Sequence, residues 1–117
     1  MKILIVEDEQ MGRELLQTML QSDHETIAVG GVEQALEALE ENTCELILTD
    51  YKMPGKSGLD LINSLREKGS SLPIILMTGQ SSKDVNLEEV KNKVEYILTK
   101  PFTRKDLKAA ILQVGGS

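Results

Sequence analysis

Asp50 closes the apolar run Leu46-Ile47-Leu48-Thr49 and leads into Tyr51-Lys52-Met53-Pro54-Gly55. A carboxylate so placed can attack phosphorus and carry it as an aspartyl phosphate. Two more acids, Glu7 and Asp8, directly follow the run Ile3-Leu4-Ile5-Val6. Crowded carboxylates repel one another, and a cation removes that cost. Oxygen-only donors suit Mg2+, which takes one or two carboxylates and keeps several waters. A third run, Pro73-Ile74-Ile75-Leu76-Met77, stops at Thr78-Gly79. The Thr78 hydroxyl can donate to a phosphoryl oxygen, and Gly79, without a side chain, lets its N–H approach an anion. A fourth run, Tyr96-Ile97-Leu98-Thr99, stops at Lys100-Pro101. An ammonium there is a good partner for a carboxylate or phosphate. The bond before Pro101 can be cis, which would aim the lysine inward. Taken singly, these residues read as an acidic loop, a turn-capping aspartate, a strand-end threonine and a surface lysine. Taken together, four strand ends offer one chemistry, a site for a divalent cation and a phosphoryl group.

That convergence requires the runs to be parallel strands of one sheet. Short apolar runs at about 2–6, 25–29, 45–49, 73–77 and 95–99 read as buried strands. Helix-period segments separate them. Met11, Leu15, Leu16, Met19 and Leu20 mark the first, and Val32, Ala35, Leu36 and Leu39 the second. The third carries Leu59, Ile62 and Leu65, with Ser57 as its cap and Lys68-Gly69 as its stop. The last carries Leu107, Ala110, Ile111 and Val114 and opens on a capping box of Thr103 with Asp106. Between Thr78 and Lys100 the apolar stripe is thin, and a weak helix is expected from about Lys83 to Asn92. Alternating βα units imply an α/β chain, a single (βα)5 doubly wound parallel sheet with helices on both faces. The carboxyl ends of such strands are where open α/β sheets build their sites.

The bulk properties narrow the function. The 117 residues make one domain with room for a core. The net charge of −6, without a Lys/Arg cluster on a helix face, argues against direct nucleic-acid binding. Cys44 is the single cysteine, which excludes an internal disulfide and fits a reducing compartment; it reads as a small residue beside a strand start. No apolar stretch reaches transmembrane length, so no membrane partner is expected. The first strand begins almost at Met1, which reads as a natural start. Residues 1–114 are expected to form the domain, with 115–117 (Gly-Gly-Ser) a linker-like tail or a cloning scar. His24, the one histidine, precedes the second strand and reads as a plain surface residue.

The motifs Ile-Leu-Ile-Val-Glu-Asp-Glu at 3–9, Leu-Thr-Asp-Tyr-Lys-Met-Pro-Gly at 48–55, Met-Thr-Gly at 77–79 and Thr-Lys-Pro-Phe at 99–102 resemble those of the receiver domain of bacterial two-component response regulators, the CheY-like family. The resemblance runs from Lys2 to about Val114. It implies a flavodoxin-like fold with strand order 2-1-3-4-5. It implies that Asp50 is the phosphoacceptor and that Asp8 and Asp50 bind Mg2+, with Glu7 acting through a water and the Lys52 carbonyl completing the protein ligands. Thr78, Gly79 and Lys100 would contact the phosphoryl group. The donor would be a phosphohistidine on a sensor histidine kinase or a histidine phosphotransfer protein. The domain would thus phosphorylate itself and slowly remove its own phosphoryl in a cytoplasmic phosphorelay. The resemblance implies that Lys52 and Gln80 would flank the path of the hydrolytic water and tune that lifetime. The surface of helix 4, strand 5 and helix 5 would switch, toward an unknown output partner, an effector domain or a phosphorylation-dependent dimer. The first helix, through Met11 and its neighbours, is the expected donor surface.

Three positions depart from the commonest pattern. Glu7 replaces an aspartate. Ile97 stands three residues before the lysine, where the family usually has an aromatic, while Tyr96 should point to the opposite face. Asn92 stands near the end of the fourth helix, where a glycine is frequent, and is expected to take a left-handed cap. The competing functions are a receiver-like protein-binding module with impaired switching, motivated by Ile97, and a Mg2+-dependent phosphatase. The phosphatase lacks a second acid–base residue beside Asp50 and a covering insertion.

Overall fold

The computed structural model describes residues 1–79 and 87–115. Five strands and five helices alternate along them: β1 Lys2–Val6, α1 Gln10–Leu20, β2 Glu25–Val29, α2 Val32–Glu41, β3 Leu46–Asp50, α3 Gly58–Glu67, β4 Ile74–Gly79, α4 Leu87–Val90, β5 Tyr96–Lys100 and α5 Arg104–Gly115. The strands are all parallel, in the order β2-β1-β3-β4-β5. Each lies within about two residues of its apolar run. The sheet separates two apolar layers. Leu4, Val6, Ile47 and Leu76 face α2, α3 and Val90, whereas Ile3, Ile5, Leu48 and Met77 face α1 and α5. Alternating side chains place neighbouring residues of each strand in opposite layers. With a helix layer over each face, β3 is buried along its whole length.

Local chemistry sets the helix starts. Ser57 and Asp60 exchange side-chain and backbone hydrogen bonds in a capping box at α3, and Thr103 and Asp106 do the same at α5. Gly69, at φ +82°, takes the chain out of α3 in the left-handed region open to glycine. Cys44 is buried in the α2/α3 layer. Tyr96 packs in the α1/α5 layer and Ile97 in the opposite one, as alternation requires.

Three expectations need correction. The fourth helix ends at Val90, before Asn92, because the Lys93 and Val94 amides both bond the Val90 carbonyl and fold the chain into a turn. Residues 83–86 of the expected helix lie outside the described residues. Asn92 does not adopt a left-handed cap: among the described residues, positive φ occurs only at Gly55 and Gly69. His24 is half-buried, with Nδ1 3.4 Å from the Met1 amino group, and burial first, then that positive charge, lowers its pKa.

Candidate functional site

The register lines the strand ends up. Asp50 pairs with Met77, Thr78 with Thr99, and Gly79 with Lys100. Beyond Val6, the Glu7 amide still bonds the Val29 carbonyl, and beyond Asp50 the Tyr51 amide bonds Met77. The backbone is therefore held at Glu7 itself and one residue past Asp50, so both acids have fixed origins. Both are nearly enclosed, at 4% and 9% exposure, and Thr78 at 6% lies beside them in the strand-end layer. Asp8 is half-buried.

Carboxylate oxygens of Glu7, Asp8 and Asp50 lie within 4.8 Å of one another. Lys100 reaches into this group from β5. Its Nζ donates to Asp50 Oδ2 at 3.0 Å and to Glu7 Oε1 at 3.3 Å. The bond between Lys100 and Pro101 is cis. Burial acts to lower the Lys100 pKa, but the hydrogen bond and charge of Asp50, with those of Glu7, outweigh it and raise it. The Asp8 pKa is raised, first by burial and then by the hydrogen bond and negative charge of Glu7. Three acids thus share one ammonium. The donors are all oxygen, gathered closely enough for one cation to serve them directly or through its waters, and their charge exceeds what Lys100 offsets, so the residues fit Mg2+.

The remaining sequence candidates separate. Gly79 sits at the same edge, half-buried, at the end of β4. Lys52 has an exposed side chain on the loop after β3, and Gln80 lies outside the described residues. Tyr96 and Ile97, at the start of β5, stand a strand's length from Lys100.

Several supporting residues escaped the sequence reading. Arg13 of α1 donates to the Glu7 carbonyl at 2.9 Å and the Asp8 carbonyl at 3.0 Å, which clamps the acidic turn. The buried Thr49 hydroxyl donates to the Asp50 carbonyl at 3.0 Å. Gly58 opens α3 against the loop that carries Lys52. Its amide bonds Tyr51 O at 2.7 Å, and a Cβ there would lie 3.0 Å from Tyr51 Cα and closer still to the Asp50 carbonyl. An arginine one helical turn past the acids is the one signal that could have pointed to such a clamp; the Thr49 bond is to a neighbouring carbonyl and the Gly58 contact is across the loop.

A cleft of about 330 Å3 opens beside the acids, between α1 and the β5–α5 turn, lined by Leu15, Leu16, Met19, Pro101 and Phe102 with Glu7 and Lys100 at its floor. A larger one, about 550 Å3 beside Met1, His24 and Lys108, holds none of the three site acids.

A sequence profile described as response regulator receiver domain matches residues 3–112. The two-component response regulator PhoP of Pseudomonas aeruginosa is 37% identical over 112 residues, covering 95% of this chain and 50% of PhoP. The chemotaxis protein CheY of the same organism is 30% identical over 118 residues, covering 97% of this chain and 95% of CheY. The chain therefore spans nearly all of that CheY but only half of PhoP, and 23% of the response regulator FleR. Among solved structures, a receiver domain protein from Clostridium thermocellum superposes with a TM-score of 0.87 at 26% identity, covering 98% of this chain and 94% of that one. The receiver domain of the P. aeruginosa sensor histidine kinase PA1611, with magnesium coordinated in its active site cleft, gives 0.84 at 25%, covering 99% and 98%.

Proposed function

Because this chain belongs to the response regulator receiver domain family of two-component signalling, we propose that Asp50 is its phosphoacceptor and that Glu7, Asp8 and Asp50, with the Lys52 carbonyl, hold Mg2+. The observation that carries this reading is the Lys100 ammonium bonded to both Asp50 and Glu7 inside a three-acid cluster. Bound Mg2+ would neutralise charge on the transferring phosphoryl group. Asp50 attacks the phosphorus of a phosphohistidine in line; the P–O bond forms as the P–N bond breaks, and the imidazole leaves. Lys100, the Thr78 hydroxyl and the Gly79 N–H take the phosphoryl oxygens, supplying positioning and preorganised charge rather than covalent chemistry.

The donor, a histidine kinase or phosphotransfer protein, docks on α1. Met11 and Leu15 are 83% and 57% exposed there, beside the cleft that leads to the acids. Water later attacks the same phosphorus, at a rate that Lys52 and Gln80 tune. The switch begins when Thr78 moves toward the phosphoryl group. Ile97, packed in the layer of Val90 and Val94, passes that motion to α4, which spans one turn among the described residues and is cheap to rearrange. The surface of α4, β5 and α5 then meets an output partner, an effector domain or a second copy. Among the described residues no helix is long and apolar enough to cross a membrane, and we place the phosphorelay in the cytoplasm.

The experiment is intact-mass measurement after incubation with acetyl phosphate and Mg2+. One labile phosphoryl group is expected, absent from Asp50→Asn and absent without Mg2+. A folded chain that takes no phosphoryl, or takes it equally in Asp50→Asn, would overturn the reading.

A further inference from the structure

We propose that Gly12 is a positioning residue for the acidic site: its missing side chain leaves a notch in α1 that seats Glu7. The proposal rests on the reading of Glu7, Asp8 and Asp50 as the Mg2+ site. Glycine is, after proline, the residue least suited to a helix interior. Yet Gly12 lies in the first turn of α1, and its φ is not positive, so the backbone does not call for glycine there.

Space does. A Cβ on residue 12 would stand 2.9 Å from Glu7 Cγ, 3.0 Å from its Cδ and 3.1 Å from its Oε1. Glu7 cannot simply lean away. Its Oε1 is held by Lys100 at 3.3 Å and its Oε2 accepts from the Glu9 amide at 3.1 Å. The colliding atoms include Cγ, near the root of the side chain, so relief requires a new rotamer and the loss of those bonds. Glu7 carries one methylene more than an aspartate, and the notch in α1 is where that extra length is taken up. Longer acid and smallest helix residue act as a pair: the notch keeps the third carboxylate within reach of Asp8 and Asp50 and on Lys100.

The test is a cycle of four full-length chains: wild type, Gly12→Ala, Glu7→Ala and the double variant. Two quantities are read: the urea midpoint in chelator, and the Mg2+ dissociation constant by calorimetry. With Glu7 present, Gly12→Ala should lower the midpoint and raise the Mg2+ dissociation constant by at least about three-fold. With Glu7→Ala, the clash is gone and the better helix former should raise the midpoint. That reversal of sign is the signature of the notch. A rise in midpoint of similar size in both backgrounds, or an unchanged Mg2+ affinity on Gly12→Ala, would overturn the proposal. If Gly12→Ala alone does not fold, recovery in the double variant supports the notch and continued failure overturns it. A wild type that binds no Mg2+ would overturn the metal reading, while the midpoints would still decide whether Gly12 seats Glu7.

Discussion

At the amino-terminal edge of the sheet, Arg66 from the last turn of α3 donates to the carbonyls of Ser70, Leu72 and Lys93 and pairs with Glu95. Glu95 in turn accepts from the Ile74 amide at 2.7 Å. At the carboxyl edge, Glu7, Asp8 and Asp50 crowd within 4.8 Å, and Lys100 bonds Glu7 and Asp50. Both edges are polar, but their accounts differ. The Arg66 edge matches donors to acceptors and ties the entries of β4 and β5 together. The Asp50 edge leaves negative charge in excess, which should destabilise the metal-free chain and suits the proposed cation and phosphoryl group. Matched charge suits a part in holding the chain together, and charge left over suits a site for chemistry.

Substitutions at the two edges should therefore separate stability from function. The largest effect is expected at Lys100. Lys100→Ala removes a preorganised donor to the phosphoryl group, and the rate of phosphorylation by acetyl phosphate should fall on the order of 100-fold while circular dichroism still reports a folded chain. A rate within a few-fold of wild type would erase the distinction between the edges. At the other edge, Arg66→Ala leaves three carbonyls without their donor and should lower unfolding free energy by about 2 kcal/mol. The folded fraction should still accept phosphoryl at the wild-type rate. Loss of phosphorylation in fully folded Arg66→Ala would mean the edges are coupled.

Ser57→Ala removes the side-chain half of the α3 capping box and should cost about 1 kcal/mol in urea unfolding, with Mg2+ affinity little changed. The smallest and most diagnostic effect is at Asp8. Its pKa is raised in the fold, burial acting first and Glu7 second. Folding therefore favours the neutral acid, and ionised Asp8 opposes folding as pH rises above the unfolded carboxylate value. Asp8→Asn should stabilise the metal-free chain at neutral pH by about 0.5 kcal/mol, the charge being partly screened by solvent. The gain should vanish below that carboxylate value, where wild-type Asp8 is also neutral. Added Mg2+ should reverse the ranking. A metal-free Asp8→Asn chain less stable than wild type would contradict the idea of surplus charge.

The sequence made one edge far more legible than the other. Asp50, Glu7, Thr78 and Lys100 each end or directly follow an apolar run, so an alternation read along the chain also pointed to the candidate site. The caps at Ser57 and Thr103 were equally readable because their partners lie three residues away. The strand order came with the family resemblance and not from periodicity. Arg66 was invisible because its acceptors are mostly backbone carbonyls, one of them 27 residues away, and carbonyls leave no mark in a sequence. Arg13, Thr49 and Gly58 escaped for the same reason. The end of α4 was misjudged because Val90 and Val94 are both buried at helical spacing, yet the chain between them closes as a turn on the Val90 carbonyl.

On the proposed function, the surplus-charge edge carries the phosphoryl group on one particular carboxylate. Its most direct measurement is reductive trapping: phosphorylate with acetyl phosphate and Mg2+, reduce the acyl phosphate with borohydride, digest, and sequence the peptides. Conversion of residue 50 to homoserine, and of no other acid, is the expected result. Conversion at Asp8 or Glu7, or an unreduced phosphoryl group on a hydroxyl such as Ser57 or Thr78, would contradict it.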